Sequence, residues 1–224
     1  MDGVHLGENL PPLILASGSP RRRELLGRFG VHFTIIASGV DETPPPDATP
    51  PAVAEHLARL KARDVATRHP GAFVLGADTL VTIDGLILGK PHDRTDAARM
   101  LRLLRGRTHQ VLTGVALVTP DGEIHSLVEV ATVTMHPFTD VAISSYLATD
   151  EPYDKAGSYA AQGAGNALIA AIAGCYTCVV GLPVCRVATL LQQAGYPLPV
   201  NPAACVPGQY CALTAGVKEE HYGD

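Results

Sequence analysis

No apolar run in this chain reaches the ~20 residues of a membrane-spanning helix. The opening MDGVHLGENLPP also lacks the basic and apolar segments of a secretory signal. The expected location is therefore the cytoplasm. Tryptophan is absent and aromatic residues make up 5% of the chain, and no aromatic platform for stacking bases stands beside its arginines. Net charge is −5, so general attraction to nucleic acid is not expected and any polyanion must be held locally. GxxxxGK[ST] is missing, and so is the protein-kinase signature set, which removes two familiar phosphate chemistries. Cysteine is sparse and odd in number: Cys175, Cys178, Cys185, Cys205 and Cys211. An odd count in a cytoplasmic chain argues against a disulfide framework. Cys175 and Cys178 form a CxxC, but no second ligand pair completes a zinc site. Cys178 also runs straight into the β-like Val179-Val180, whereas a redox pair opens a helix. Structural roles are expected for these thiols.

What is present is enough for a core. The chain has 224 residues, 46% of them hydrophobic, and is long enough for one large domain or two lobes. Its organising stretch is LILASGSPRRRELL, residues 13–26. Residues 13–16 form an apolar run suited to a buried strand. Ser17-Gly18-Ser19 breaks that run, and Ser19-Pro20 reads as an N-cap followed by proline at the first helical position. Arg21, Arg22 and Arg23 then place three cations in the first helical turn. The macrodipole disfavours each by roughly 0.3–1 kcal/mol. Free N–H groups, a glycine turn and clustered guanidinium groups together describe a site for phosphates. A solvated basic patch is the plainer alternative.

Strand and helix signals alternate along the rest of the chain, and no internal repeat is found. Strands are expected at 31–36, 72–77, 80–83, 86–88, 110–118, 124–135 and 167–173, with Asp84-Gly85 as a two-residue hairpin. Helices are expected at 52–68, 93–104, 140–147 and 183–193. Residues 151–165 are polar and glycine-rich. Beyond Pro197 no periodicity holds, so residues 1–200 are read as the domain and 201–224 as a mobile C-terminal extension. The sum is an α/β fold with a mixed sheet, built as two lobes around a cleft.

Several polar residues fall where strands or turns end. Asp78 follows an apolar run directly, which places it at a strand's carboxyl end, where α/β proteins bind ligands. A turn-capping aspartate would sit there too. Asp41-Glu42, in a glycine- and proline-flanked loop, suits a hard divalent cation as well as open solvent. Lys61 lies on a predicted helix, Lys90 between Gly89 and Pro91, and Gln162 between Ala161 and Gly163. Together, arginines and lysines can hold a polyphosphate, carboxylates can hold Mg²⁺ or Mn²⁺, and one carboxylate can activate water.

These residues carry a resemblance. Ser17-Gly18-Ser19-Pro20-Arg21-Arg22-Arg23-Glu24-Leu25-Leu26 resembles the N-terminal signature of the Maf family of nucleoside triphosphate pyrophosphatases. So do Gly76-Ala77-Asp78-Thr79, Gly89-Lys90-Pro91, THQVLTG at 108–114, DKAGSY at 154–159 with Gln162-Gly163, and VVGLP at 179–183. The match runs in order from about residue 12 to 195. The resemblance implies an inosine-triphosphate-pyrophosphatase-like fold, a homodimer, and a house-cleaning hydrolase that needs a divalent metal. It would convert selected or modified nucleoside triphosphates to monophosphate and pyrophosphate. By position, Asp78 matches the general base; Arg21, Thr79 and Gln162 match residues that set base choice. Arg22, Glu24, Glu42, Lys61 and Lys90 match polar residues of the cleft, with Ser17 in the binding turn. Ala77-Asp78-Thr79 is similar to the subgroup acting on dTTP and UTP. Ala160-Ala161 departs from the family, which often has Gly-Ile before the glutamine.

The resulting expectation is hydrolysis between the α- and β-phosphates, with Asp78 activating water and Asp78 and Glu42 forming the metal shell. Arg21, Arg22, Lys61 and Lys90 would neutralise the phosphates. A strand continuing through Thr79 would turn Asp78 and Thr79 to opposite sides, whereas a turn there would let both face the cleft. The rival is a non-enzymatic nucleotide-binding regulator of septum formation and cell division.

Overall fold

The computed structural model describes residues 10–199 of the chain; the 201–224 extension lies outside them. The described residues build one seven-stranded mixed sheet. β1 (Leu13–Leu15) runs parallel to β2 (Thr34–Ile35) on one side and to β3 (Phe73–Ile83) on the other. β5 (Thr108–Val118), β6 (Ile124–Met135) and β7 (Ile169–Ala173) continue the sheet antiparallel. β4 (Leu86–Leu88) folds back on β3 through Asp84 and Gly85, both at positive φ (51° and 78°) as a tight hairpin turn requires.

Each face of the sheet carries its own core. On one, α2 (Pro50–Arg68) lays Val53, Ala54, Leu57, Ala58, Ala62 and Val65 against Ile14, Val74, Leu80, Leu112 and Ala116. That helix begins at Thr49 with two prolines in its first turn, a placement that costs no hydrogen bond. It sits unusually close to the sheet. A Cβ on Gly76 would lie 2.4 Å from the Ala58 carbonyl oxygen, and one on Gly114 would lie 2.2 Å from that of Ala54. Both strand positions therefore need glycine. The other face is covered by α1 (Pro20–Gly27), α3 (Arg94–Leu104), α4 (Asp140–Tyr146), α5 (Tyr176–Val180) and α6 (Val184–Gln193), which share a larger core with Leu13, Leu15, Leu75, Val81, Val115 and Val133. Side chains cap α3 and α4: Asp93 accepts from the Asp96 amide at 2.8 Å, and Thr139 from that of Ala142 at 3.2 Å.

Four secondary-structure expectations change. β3 does not end at Asp78-Thr79 but runs unbroken to Ile83, so Asp78 lies mid-strand. The strand expected over 31–36 shortens to two residues. The one expected over 167–173 starts at Ile169, after a 3₁₀ segment, Gly163–Leu168. Val179-Val180 close a helical turn instead of forming a strand, because Gly181 at φ 120° ends it and brings its amide back to the Thr177 carbonyl. The thiols of Cys175 and Cys178 are free, and burial pushes that of Cys178 up to about 12, which disfavours thiolate chemistry. Cys185 is disulfide-bonded, contrary to the expectation of a disulfide-free chain.

Candidate active site

Eight segments meet at one cavity of about 710 Å³. Its place follows from strand pairing. β1 leaves the edge of β3 after Leu75, and β4 joins that edge only at Val81. The stretch around Asp78-Thr79 therefore has no strand partner on that side. Asp78 points to the α2 face and Thr79 to the opposite face, yet both line the cavity because it opens through this gap in the sheet edge. The strand's continuation and a shared cleft are thus compatible.

On the α2 side, Asp78 is 6% exposed and Lys61 7%. The Lys61 ammonium donates to Asp78 Oδ1 at 2.6 Å and to Glu42 Oε2 at 2.8 Å. Such a buried pair is tolerable only because each charge is matched and hydrogen-bonded. Asp78 Oδ2 makes no hydrogen bond among the described residues, which leaves one carboxylate oxygen free for a proton. Lys61, a residue type usually found on helix surfaces, is drawn inward because α2 lies so close to Gly76 and Gly114.

On the other side, Arg22 reaches inward from the first turn of α1. Its Nε donates to the Gly181 carbonyl at 2.8 Å, Nη1 to Ser17 Oγ at 3.1 Å and Nη2 to Thr79 Oγ1 at 3.1 Å. Burial lowers its pKa, and Asp78 opposes that shift. These three bonds offset the unfavourable dipole position. Ser17 Oγ also accepts the Ser19 amide at 3.3 Å. Arg21 and Lys90 line the same cavity, and neither has an ion-pair partner among the described residues. Gln162, half-buried, also lines it with its amide unpaired among those residues.

Residues 12–194 match the family model described as Maf-like protein. The chain belongs to the Maf family. It is 51% identical over 186 residues to a dTTP/UTP pyrophosphatase of Symbiobacterium thermophilum, covering 83% of this chain and 95% of that protein. A dTTP/UTP pyrophosphatase of Myxococcus xanthus is 48% identical over 187 residues, 84% of this chain and 94% of that one. Among solved structures, the Staphylococcus aureus Ham1 protein overlaps in part, at 16% identity and TM-score 0.43, over 56% of this chain and 72% of that one.

Nine of the ten residues singled out in this Maf sequence gather at the cavity: Ser17, Arg21, Arg22, Glu42, Lys61, Asp78, Thr79, Lys90 and Gln162. Glu24 does not. It lies outside the lining, 58% exposed, paired with Arg28 at 2.9 Å one turn along α1. Two further contributors stand outside the residues singled out from the sequence. Lys155 lines the cavity, tied to the Glu151 carbonyl at 2.7 Å and Asp154 at 2.5 Å; its only signal was the DKAGSY motif. Thr113 is fully buried and bridges Thr79 to the Cys178 carbonyl; nothing in its local sequence marks that role.

Tyr159, also in the lining, is backed by His109. His109 Nε2 lies 2.6 Å from the phenol oxygen, while Nδ1 is buried with no partner among the described residues. Burial holds this imidazole down at about 4. Between pH 6.5 and 4 the unfolded chain binds a proton at His109 that the folded chain does not, so stability rises with pH across that window. It is fully present above pH 6.5 and lost on acidification toward pH 4, by on the order of 3 kcal/mol from this group. Denaturant unfolding at pH 7 and pH 4.5 should therefore show a steeper loss in wild type than in His109→Phe/Tyr159→Phe, which swaps both partners for apolar rings. Equal losses would remove His109 as the cause.

Proposed function

We propose that this chain is a nucleoside triphosphate pyrophosphatase that takes dTTP and UTP, together with uridine nucleotides modified at C5, and yields the monophosphate and pyrophosphate. The observation that carries this reading is Lys61 held between Asp78 and Glu42, deep in a cavity that also offers the unpaired cations Arg21 and Lys90. In the reaction, Asp78 Oδ2 takes a proton from water as the water oxygen bonds to the α-phosphorus. The bridging oxygen departs on pyrophosphate. Arg21, Lys90 and Lys155 balance the charge on the phosphates, and Arg22 holds the turn that presents them. The names of the curated relatives support the substrate class.

A divalent ion is part of the proposal. Among the described residues no group of three or more His, Cys, Asp or Glu side chains is arranged to hold a metal. Two carboxylates suffice for Mg²⁺ or Mn²⁺ when substrate phosphates and water complete the shell, and Asp78 and Glu42 converge on a single point, now filled by the Lys61 ammonium. Those two would hold the ion, which when bound would polarise the phosphate oxygens.

Residues 1–200 are taken as the catalytic unit, acting as a homodimer in the cytoplasm; no helix among the described residues is long and apolar enough to cross a membrane. A panel of standard and modified nucleoside triphosphates with Mg²⁺ and Mn²⁺, scored for pyrophosphate against orthophosphate, tests the reading. UTP and dTTP should exceed every purine triphosphate and release pyrophosphate. A tenfold preference for 7-methyl-GTP or an inosine nucleotide would overturn the substrate assignment, and orthophosphate release would overturn the scissile bond. Tight nucleotide binding without turnover would favour the regulator.

A further inference from the structure

A hydroxyl relay behind Thr79 determines what that residue can offer a substrate. Thr113, on β5 directly opposite Thr79, is fully buried and donates its single proton to the Cys178 carbonyl at 2.8 Å. A carbonyl can only accept, so that direction is forced. Thr79 Oγ1 lies 2.9 Å from Thr113 Oγ1. With Thr113's proton already committed, the hydrogen in this contact must come from Thr79. One Thr79 lone pair then takes Arg22 Nη2 at 3.1 Å, a donor that cannot accept. What remains on Thr79 is one lone pair in a residue that lines the cavity.

We propose that Thr113 is a positioning residue for base choice: by consuming Thr79's proton it makes Thr79 an acceptor only, selecting a nucleobase that presents an N–H at the contact. This rests on the reading that Thr79 meets the base. Uracil and thymine carry a donor at N3, flanked by two carbonyl acceptors. Cytosine carries a lone pair at N3, which would face the Thr79 lone pair with no proton between them. A site whose polar groups must go unpaired for the wrong ligand discriminates strongly. Discrimination between UTP and CTP therefore depends on a buried side chain that no base can touch. Thr79 alone, with a freely rotating hydroxyl, would serve either base.

The test compares kcat/KM for UTP and CTP, with pyrophosphate as the readout, in wild type, Thr113→Val, Thr113→Ala and Thr113→Ser. Wild type should favour UTP by about a hundredfold or more, short of the ~10⁴–10⁵ reached by sites built wholly on hydrogen bonds to one substrate. Thr113→Val leaves Thr79's proton free to turn toward N3 of cytosine. The ratio should fall about tenfold or more, chiefly through a gain on CTP. Thr113→Ser keeps the relay and should keep the ratio. A merely structural Thr113 would lower both substrates together. If Thr113→Val does not fold, Thr113→Ala, which relieves crowding, carries the same expectation. A folded variant with an unchanged ratio, or a wild type that hydrolyses CTP as well as UTP, overturns the proposal. Absence of any pyrophosphate release from wild type would instead sink the functional reading beneath it.

Discussion

Asp78→Asn is expected to lower kcat by about 10²–10⁴-fold while KM stays within a few-fold. Asparagine keeps an oxygen for the Lys61 ammonium, now 2.6 Å from Asp78 Oδ1, so the local fold should hold. What it loses is the basic Oδ2, the group proposed to receive the proton from water. KM at saturating Mg²⁺ should move little because the phosphate contacts proposed are those of Arg21, Lys90 and Lys155, whereas losing one of the two carboxylates proposed to hold the ion should raise the Mg²⁺ requirement. Thermal melting of the variant close to wild type, combined with lost turnover, is the supporting pattern. Near-normal turnover would transfer the base role to Glu42, the other carboxylate on Lys61; Glu24 is no longer available for it, being paired to Arg28 on the outside of α1.

The second large effect concerns a residue with no chemistry of its own. Gly114→Ala should destabilise the protein by about 3 kcal/mol or more, at the severe end of overpacking. The added carbon would meet the Ala54 carbonyl at 2.2 Å and the Glu55 amide nitrogen at 2.9 Å, both of them backbone, so α2 itself must shift. Lys61 lies about two turns further along that helix and would move with it, so activity should fall even at temperatures where the variant is folded. Gly27→Ala makes a suitable comparison. Its new carbon would meet nothing within 4 Å and it ends α1, so stability should hold or rise slightly. Chemical denaturation of both variants checks the contrast. A Gly114→Ala protein as stable and as active as wild type would mean that this close approach does not seat Lys61.

Local chemistry made much of the chain legible. Ser19-Pro20 starts α1 as expected, Asp84-Gly85 makes its hairpin, and the spacing of Ala97, Met100, Leu101 and Leu104 yields an amphipathic α3 capped by Asp93. Each rests on interactions spanning fewer than about five residues, which composition and period report directly. Misreadings arose where tertiary contacts overrode local preference. Asp78 and Thr79 looked like a strand's end because polar residues rarely continue a buried strand. They continue this one because Lys61, 17 residues away in the chain, neutralises the aspartate, and because Thr113, 34 residues away, shares a hydrogen bond with the threonine. Val179-Val180 favoured a strand by their branched side chains, but Gly181 and the Thr177 carbonyl close a helical turn around them.

By itself the sequence determined the family, the mixed α/β architecture and a set of polar residues suited to a triphosphate, because those rest on motif order, hydrophobic period and residue type. Only the tertiary structure decided how they work together. It opened the β3 edge between Leu75 and Val81, so that side chains on opposite faces reach one cavity. It brought the Gly181 carbonyl to Arg22 across 159 residues of chain, and left Glu24 outside. It also set Thr113 between Thr79 and the Cys178 carbonyl. The physical reason is that hydrogen-bond direction and buried charge pairing depend on which distant groups the fold brings within about 3 Å, and no local pattern of residues encodes that distance.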